Sequence, residues 1–183
     1  NLVSMKPQQW KQLSSTQLFK NPWLDIRDNR YATEVNDEKE YVIVTLPKGA
    51  SVLPIDIDGN VYLIKQYRPG YGDITIETPG GKIDDGDTPE GTARKETFEE
   101  IGVEVHELIS LGTITGLTSN IDHVEYLYLA HIGPVDATAI GHEDEVLELV
   151  VVPFEQAIAW ACDSTIVHGP TLTLLFRAKE YLN

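Results

Sequence analysis

The sequence predicts an α+β domain, a mixed sheet with helices packed on it, on three observations. Short runs rich in Val, Ile and Tyr recur from residue 40 to residue 152. One helical segment interrupts them near the middle, and two apolar-periodic helical segments come last. Many strands, one central helix and two late ones describe a layered domain. At 183 residues the chain suits one domain with an appended arm. The expected division is an N-terminal arm of strands over 1–47 and the main domain over 48–183.

The elements follow in order. Residues 1–20 are polar with weak periodicity and carry no assigned element. Residues 23–31 alternate loosely and read as a strand. Residues 40–46 (EYVIVTL) are a strand by β-branched content. Strands over 50–57 and 61–67 are joined by Asp58-Gly59-Asn60, a hairpin signal. Residues 73–77 form a short strand and 79–88 a loop. The central helix starts at Thr88, a good N-cap, with Pro89 in its first turn, and Gly102 closes it. Strands follow over 104–115, 122–132 and 146–152, with an acidic loop over 133–145. Helices over 154–161 and 171–181 end the pattern.

Composition narrows the function. A formal charge of −15 argues against nucleic acid and against a membrane surface, both of which select a basic face. A small anionic substrate stays open, because a cation and a few local Arg or Lys residues reverse the sign inside a pocket. No apolar run reaches 18 residues, so no membrane-spanning helix is expected. Cys162 is the single cysteine, which fits a reducing, cytoplasmic setting.

The chemistry is concentrated in one stretch: Pro79-Gly80-Gly81-Lys82-Ile83-Asp84-Asp85-Gly86-Asp87, then Arg94-Lys95-Glu96-Thr97-Phe98-Glu99-Glu100-Ile101-Gly102-Val103. On a helix Glu96, Glu99 and Glu100 are neighbours, and like charges at that spacing repel by roughly a few tenths of a kcal/mol per pair. A divalent cation reverses the penalty. Hard carboxylate oxygens with no Cys or His beside them point to Mg²⁺ or Mn²⁺. A helical wheel sets the acids on one side and Thr97, Phe98 and Ile101 toward the core. Gly80 and Gly81 are expected to allow unusual φ or close backbone approach.

This stretch resembles the Nudix box: Gly, five residues, Glu, seven residues, Arg-Glu, an apolar residue, any residue, Glu-Glu, any residue, Gly, an apolar residue. Gly81, Glu96, Glu99, Glu100, Gly102 and Val103 match. Asp87 stands for Glu, Lys95 for Arg and Thr97 for the apolar residue. Lys offers a point charge where Arg offers a planar fork. Asp87 is one methylene short of the usual reach. The flanks Asn21-Pro22-Trp23-Leu24, Gln66-Tyr67-Arg68, Glu77-Thr78-Pro79-Gly80-Gly81 and Glu143-Asp144-Glu145 are similar to the ADP-ribose and nucleoside diphosphate sugar pyrophosphatase branch.

The resemblance implies an α/β/α sandwich with a mixed central sheet and an N-terminal β arm. It implies Mg²⁺- or Mn²⁺-dependent hydrolysis of the pyrophosphate of a nucleoside diphosphate sugar to a nucleoside monophosphate and a sugar phosphate. The Gly80 carbonyl, Glu96, Glu100 and Glu145 are the implied metal ligands. Glu143 is the candidate general base and Glu99 supports the acids, with Glu143 and Glu145 exchangeable in role. Arg68, Trp23 and Gly81 are the candidate substrate contacts. Arg68 alternatively ends a surface strand, and Trp23 alternatively fills a core. His123, His142 and His168 are not read as ligands. A homodimer that exchanges the arm is implied as well. ADP-ribose enzymes of the branch often carry a proline beyond the box, and residues 116–120 have none, which widens the substrate to nucleotide sugars in general. Two alternatives remain: a nucleotide-binding sensor without catalysis, and hydrolysis of dinucleoside polyphosphates or nucleoside triphosphates.

Overall fold

The computed structural model of the chain describes residues 9–33, 35, 37–133, 135 and 146–182. It divides into two units, 1–47 with 115–123, and 48–114 with 124–183.

The first unit is a four-stranded sheet in the order β1-β2-β3-β9. β1 (Lys11–Lys20), β2 (Asp25–Ala32) and β3 (Glu38–Thr45) run antiparallel, and the short β9 (Ile121–Asp122) joins β3 in parallel. β1 was not legible from periodicity because all ten of its side chains are exposed, so no apolar alternation marks it. It forms by backbone pairing with β2 and by polar rungs: Arg27 donates to Ser15 Oγ and Gln17 Oε1, both at 3.4 Å. Trp10, Tyr31 and Tyr41 pack as an aromatic trio with centroids 5.8–6.4 Å apart. Asn21 turns the chain between β1 and β2, its Oδ1 accepting the amides of Trp23 and Leu24 at 2.8 and 2.9 Å.

The second unit is a seven-stranded sheet with helices on both faces. Its main path is β11 (Val146–Pro153), β5 (Asn60–Arg68), β4 (Gly49–Ile55), β10 (Glu125–Ile132) and β8 (Val105–Ile114). β6 (Asp73–Glu77) pairs with β5, and β7 (Gly80–Lys82) with β4. The β4–β10 pair is parallel and the others antiparallel, so the sheet is mixed as predicted. The Asp58-Gly59 turn joins β4 to β5, with Gly59 at φ 80°. Asp56 holds the turn by accepting the Asp58 and Asn60 amides at 2.9 and 2.8 Å.

Strand alternation sorts the core. Leu53, Leu63, Leu127 and Leu129 face α2 (Phe154–Cys162) and α3 (Gly169–Leu182), packing on Ala157, Leu174 and Leu175. Ala50, Val52, Ile64 and Tyr128 face α1 (Pro89–Ile101), packing on Ala93 and Ile101. That is the predicted three-layer α/β/α arrangement.

Candidate active site

α1 starts and stops where its capping residues dictate. Thr88 Oγ1 accepts the Gly91 amide at 3.0 Å. Gly102 takes φ 72°, and its amide closes on the Phe98 carbonyl. Between the caps the buried stripe is Thr92, Ala93, Glu96, Thr97, Glu100 and Ile101, the spacing of a packed helix face. The expected split between an acid face and a packing face therefore fails in part. Glu96 and Glu100 lie inside the packed stripe, only 9% and 2% exposed, while Phe98 is 57% exposed and not in the core. Thr97 tolerates full burial because its hydroxyl donates to the Ala93 carbonyl at 2.7 Å.

The glycine segment lies against these acids. It is partly strand and not wholly loop: β7 pairs Ser51 with Gly80 and Ala50 with Gly81. Neither glycine has positive φ, which Gly86 alone in the turn shows, at 95°. Their requirement is space. A methyl on Gly80 would meet the Ala50 carbonyl oxygen at 2.6 Å, and one on Gly81 would meet the Glu96 carboxyl carbon at 2.5 Å. The Gly80 amide donates to Glu100 Oε2 at 2.9 Å, and Gln66 Nε2 donates to Glu100 Oε1 at 2.9 Å. Glu99 is half-exposed, with Lys95 Nζ 3.8 Å away one turn earlier, a loose contact where a planar fork would grip.

A second polar network faces α3. Arg68 Nε and Nη2 donate to the two Glu77 carboxylate oxygens at 2.9 and 2.7 Å. Thr75 Oγ1 donates to Glu77 as well, and His168 Nε2 stands 3.4 Å from it. Thr171 Oγ1 accepts the Thr78 amide at 2.8 Å and lies 2.9 Å from His168 Nδ1, tying α3 to the strand end before Gly80. Burial pushes Glu77 up, but Arg68, then His168 and Thr75, pull it below the ordinary carboxylate value. Burial likewise holds the His168 imidazole low, with Glu77 opposing and Arg68 adding.

Glu125, at the start of β10, is a fourth buried acid, 9% exposed. It sits over Gly49, which leaves room for it by lacking a side chain, and accepts from Ser51 Oγ at 2.6 Å. Burial raises it to about 7, with Ser51 opposing. Sequence reading passed over Glu125, and it quoted Gln66 and Glu77 within flanks of the box without giving either a role. The signal available was a charged or amide side chain set within an otherwise apolar strand.

Of the predicted site residues, the structure brings Gly80, Gly81, Glu96 and Glu100 together, with Glu99 on the flank. Arg68 is bound to Glu77. Trp23, in the first unit, is 65% exposed, which removes its core alternative. His142, Glu143, Asp144 and Glu145 lie outside the described residues. Their neighbour Val146 opens β11 opposite Gln66, whose amide touches Glu100.

The donor chemistry fits a hard divalent cation: the Glu96 and Glu100 carboxylates are oxygen donors, and Gly81 leaves room for the Glu96 carboxyl by lacking a side chain. Among the described residues no three His, Cys, Asp or Glu side chains are gathered closely enough to hold a metal alone. Among the described residues no helix is long and apolar enough to cross a membrane.

A layered α/β/α domain that buries two helix carboxylates against a glycine strand suits a hard-cation site. The chain belongs to the Nudix family, its residues 45–171 matching the NUDIX domain. It is 33% identical over 129 residues to a GDP-mannose pyrophosphatase of Yersinia pestis (strain Pestoides F), covering 66% of this chain and 65% of that protein. The chain thus spans just under two-thirds of the length of that relative. It is 25% identical over 155 residues to an ADP-ribose pyrophosphatase of Bacillus subtilis (strain 168), covering 84% of each. A solved structure, "Crystal structure of ADP compounds hydrolase", superposes with a TM-score of 0.83 at 20% identity over 98% of this chain and 97% of that one, which supports the fold.

Proposed function

We propose that the chain is a divalent-cation-dependent pyrophosphohydrolase acting on nucleoside diphosphate sugars, releasing a nucleoside monophosphate and a sugar phosphate. One observation carries the reading: Glu96 and Glu100 are buried on the packing stripe of α1 beneath Gly80 and Gly81. Burying two acids side by side is costly unless a cation or a dense set of donors compensates it. The similarity to GDP-mannose and ADP-ribose pyrophosphatases supports the substrate class.

Glu96, Glu100 and the Gly80 carbonyl would hold Mg²⁺ or Mn²⁺, with Glu99 supporting and Glu145 a further ligand. The cation, when bound, polarises phosphoryl oxygens and offsets developing charge. Glu143 takes the proton of the attacking water at its carboxylate, in the role of general base. The attacked phosphorus gains the water oxygen and loses the bridging oxygen, which leaves on the other product. Arg68, braced by Glu77, brings positive charge to the diphosphate. Trp23, exposed on the turn between β1 and β2, offers a face for base stacking, and the arm of residues 1–47 would be exchanged in a homodimer.

The test is a panel of GDP-mannose, ADP-ribose and other nucleotide sugars, with dinucleoside polyphosphates and nucleoside triphosphates beside them. Each is incubated with Mg²⁺ and then with a phosphatase that frees phosphate from the monophosphate products. Turnover of nucleotide sugars is expected. Tight binding with no turnover of any compound would instead identify a nucleotide sensor.

A further inference from the structure

Gln66 is 3% exposed, on the face of β5 that looks to α1. Its Nε2 donates to Glu100, which fixes the orientation of the amide, since a carboxylate accepts and does not donate. The other end of that amide, Oε1, is fully enclosed and has no hydrogen-bond partner among the described residues. A buried amide oxygen left without a donor costs roughly 1–3 kcal/mol, and a strand side chain could have been apolar at no such cost. The neighbours on that face, Ile64 and Tyr62, are core residues. That cost is accepted at a side chain whose donor end holds an acid that the proposed function assigns to the cation.

We propose that Gln66 is a positioning residue for cation binding, its amide holding Glu100 in the ligating rotamer. This rests on the proposed metal role of Glu96 and Glu100. Groups that orient a metal ligand are worth about 10- to 100-fold in metal affinity or activity. The Gly80 amide on Oε2 and Gln66 on Oε1 leave Glu100 two fixed oxygens, so removal of either donor frees the carboxylate to rotate.

The experiment uses Mn²⁺ alone as the probe, followed by electron paramagnetic resonance of the free ion, on the full chain and on Q66M, Q66N and E100Q. Q66M keeps the volume without the amide; Q66N draws the amide back by one methylene, and serves if Q66M does not fold. The expected result is Mn²⁺ affinity lower by about 10- to 100-fold in either Gln66 variant, with hydrolysis recovering toward the wild-type kcat as Mg²⁺ is raised. A purely structural role would lower kcat at every Mg²⁺ concentration and leave Mn²⁺ affinity alone. Wild-type Mn²⁺ affinity in the Gln66 variants, beside a clear loss in E100Q, overturns this inference and leaves the metal reading standing. Wild-type affinity in E100Q overturns the metal reading itself.

Discussion

Two groups of buried acids in the seven-stranded sheet are treated differently. Glu77, tied to the start of α3, lies in the fork of Arg68, beside His168 and Thr75, and Glu125 is raised by burial to about 7. Glu100, on α1, takes neutral amide donors from Gly80 and Gln66, and Glu96 lies one turn away against Gly81. In the first group a cationic side chain or a proton offsets the buried acid. In the second the proposed function assigns that offset to a bound cation. Burial of a carboxylate by itself therefore does not mark a site. The chemistry of its partners does.

The contrast can be broken most sharply at Glu100. E100Q keeps the shape but removes the charge and one of the two acceptor oxygens, and nucleotide-sugar hydrolysis is expected to fall by about 100-fold or more in a variant that a thermal melt shows to be folded. Near-wild-type kcat/KM in that variant would erase the distinction between the two groups.

Glu125 gives the opposite signature. Its pKa is raised in the fold to about 7 from an ordinary 4.5, so its contribution is fully present below about pH 4.5 and is lost as pH rises through 7. Wild type should lose up to about 3 kcal/mol relative to E125Q between pH 5 and pH 8, read as the difference of urea midpoints at the two pH values. A pH-independent difference would show that Glu125 is ionised and paired like Glu77.

Gly80 tests the close approach. G80A sets a methyl 2.6 Å from the Ala50 carbonyl, which is backbone and does not yield, and the expected cost is about 1–3 kcal/mol by chemical denaturation. The smallest effect belongs to the cap: T88A removes the acceptor for the Gly91 amide and should cost about 1 kcal/mol with kcat unaltered.

Much of this was legible from the chain itself. The caps of α1 are local chemistry, so Thr88, Pro89 and Gly102 announce the helix without help from the rest of the fold. The strands of the central sheet carry β-branched residues in runs, and the spacing of Gly81, Glu96, Glu99 and Glu100 survives three substitutions within the box. β1 was hidden because an exposed strand held by backbone pairing and polar rungs has no apolar period. Phe98 was misplaced because a wheel orders directions without saying which side a sheet will cover.

Sequence alone determined the acids, their spacing on one helix and the glycine pair before them, since covalent order and helical pitch are enough for that. Only the tertiary structure decided that Glu96 and Glu100 are enclosed, that Gln66 from a strand thirty-four positions earlier reaches Glu100, and that Arg68 is bound to Glu77. Those facts depend on which strands become neighbours, and pairing between distant segments is settled by the packing of the whole core rather than by any local run of residues.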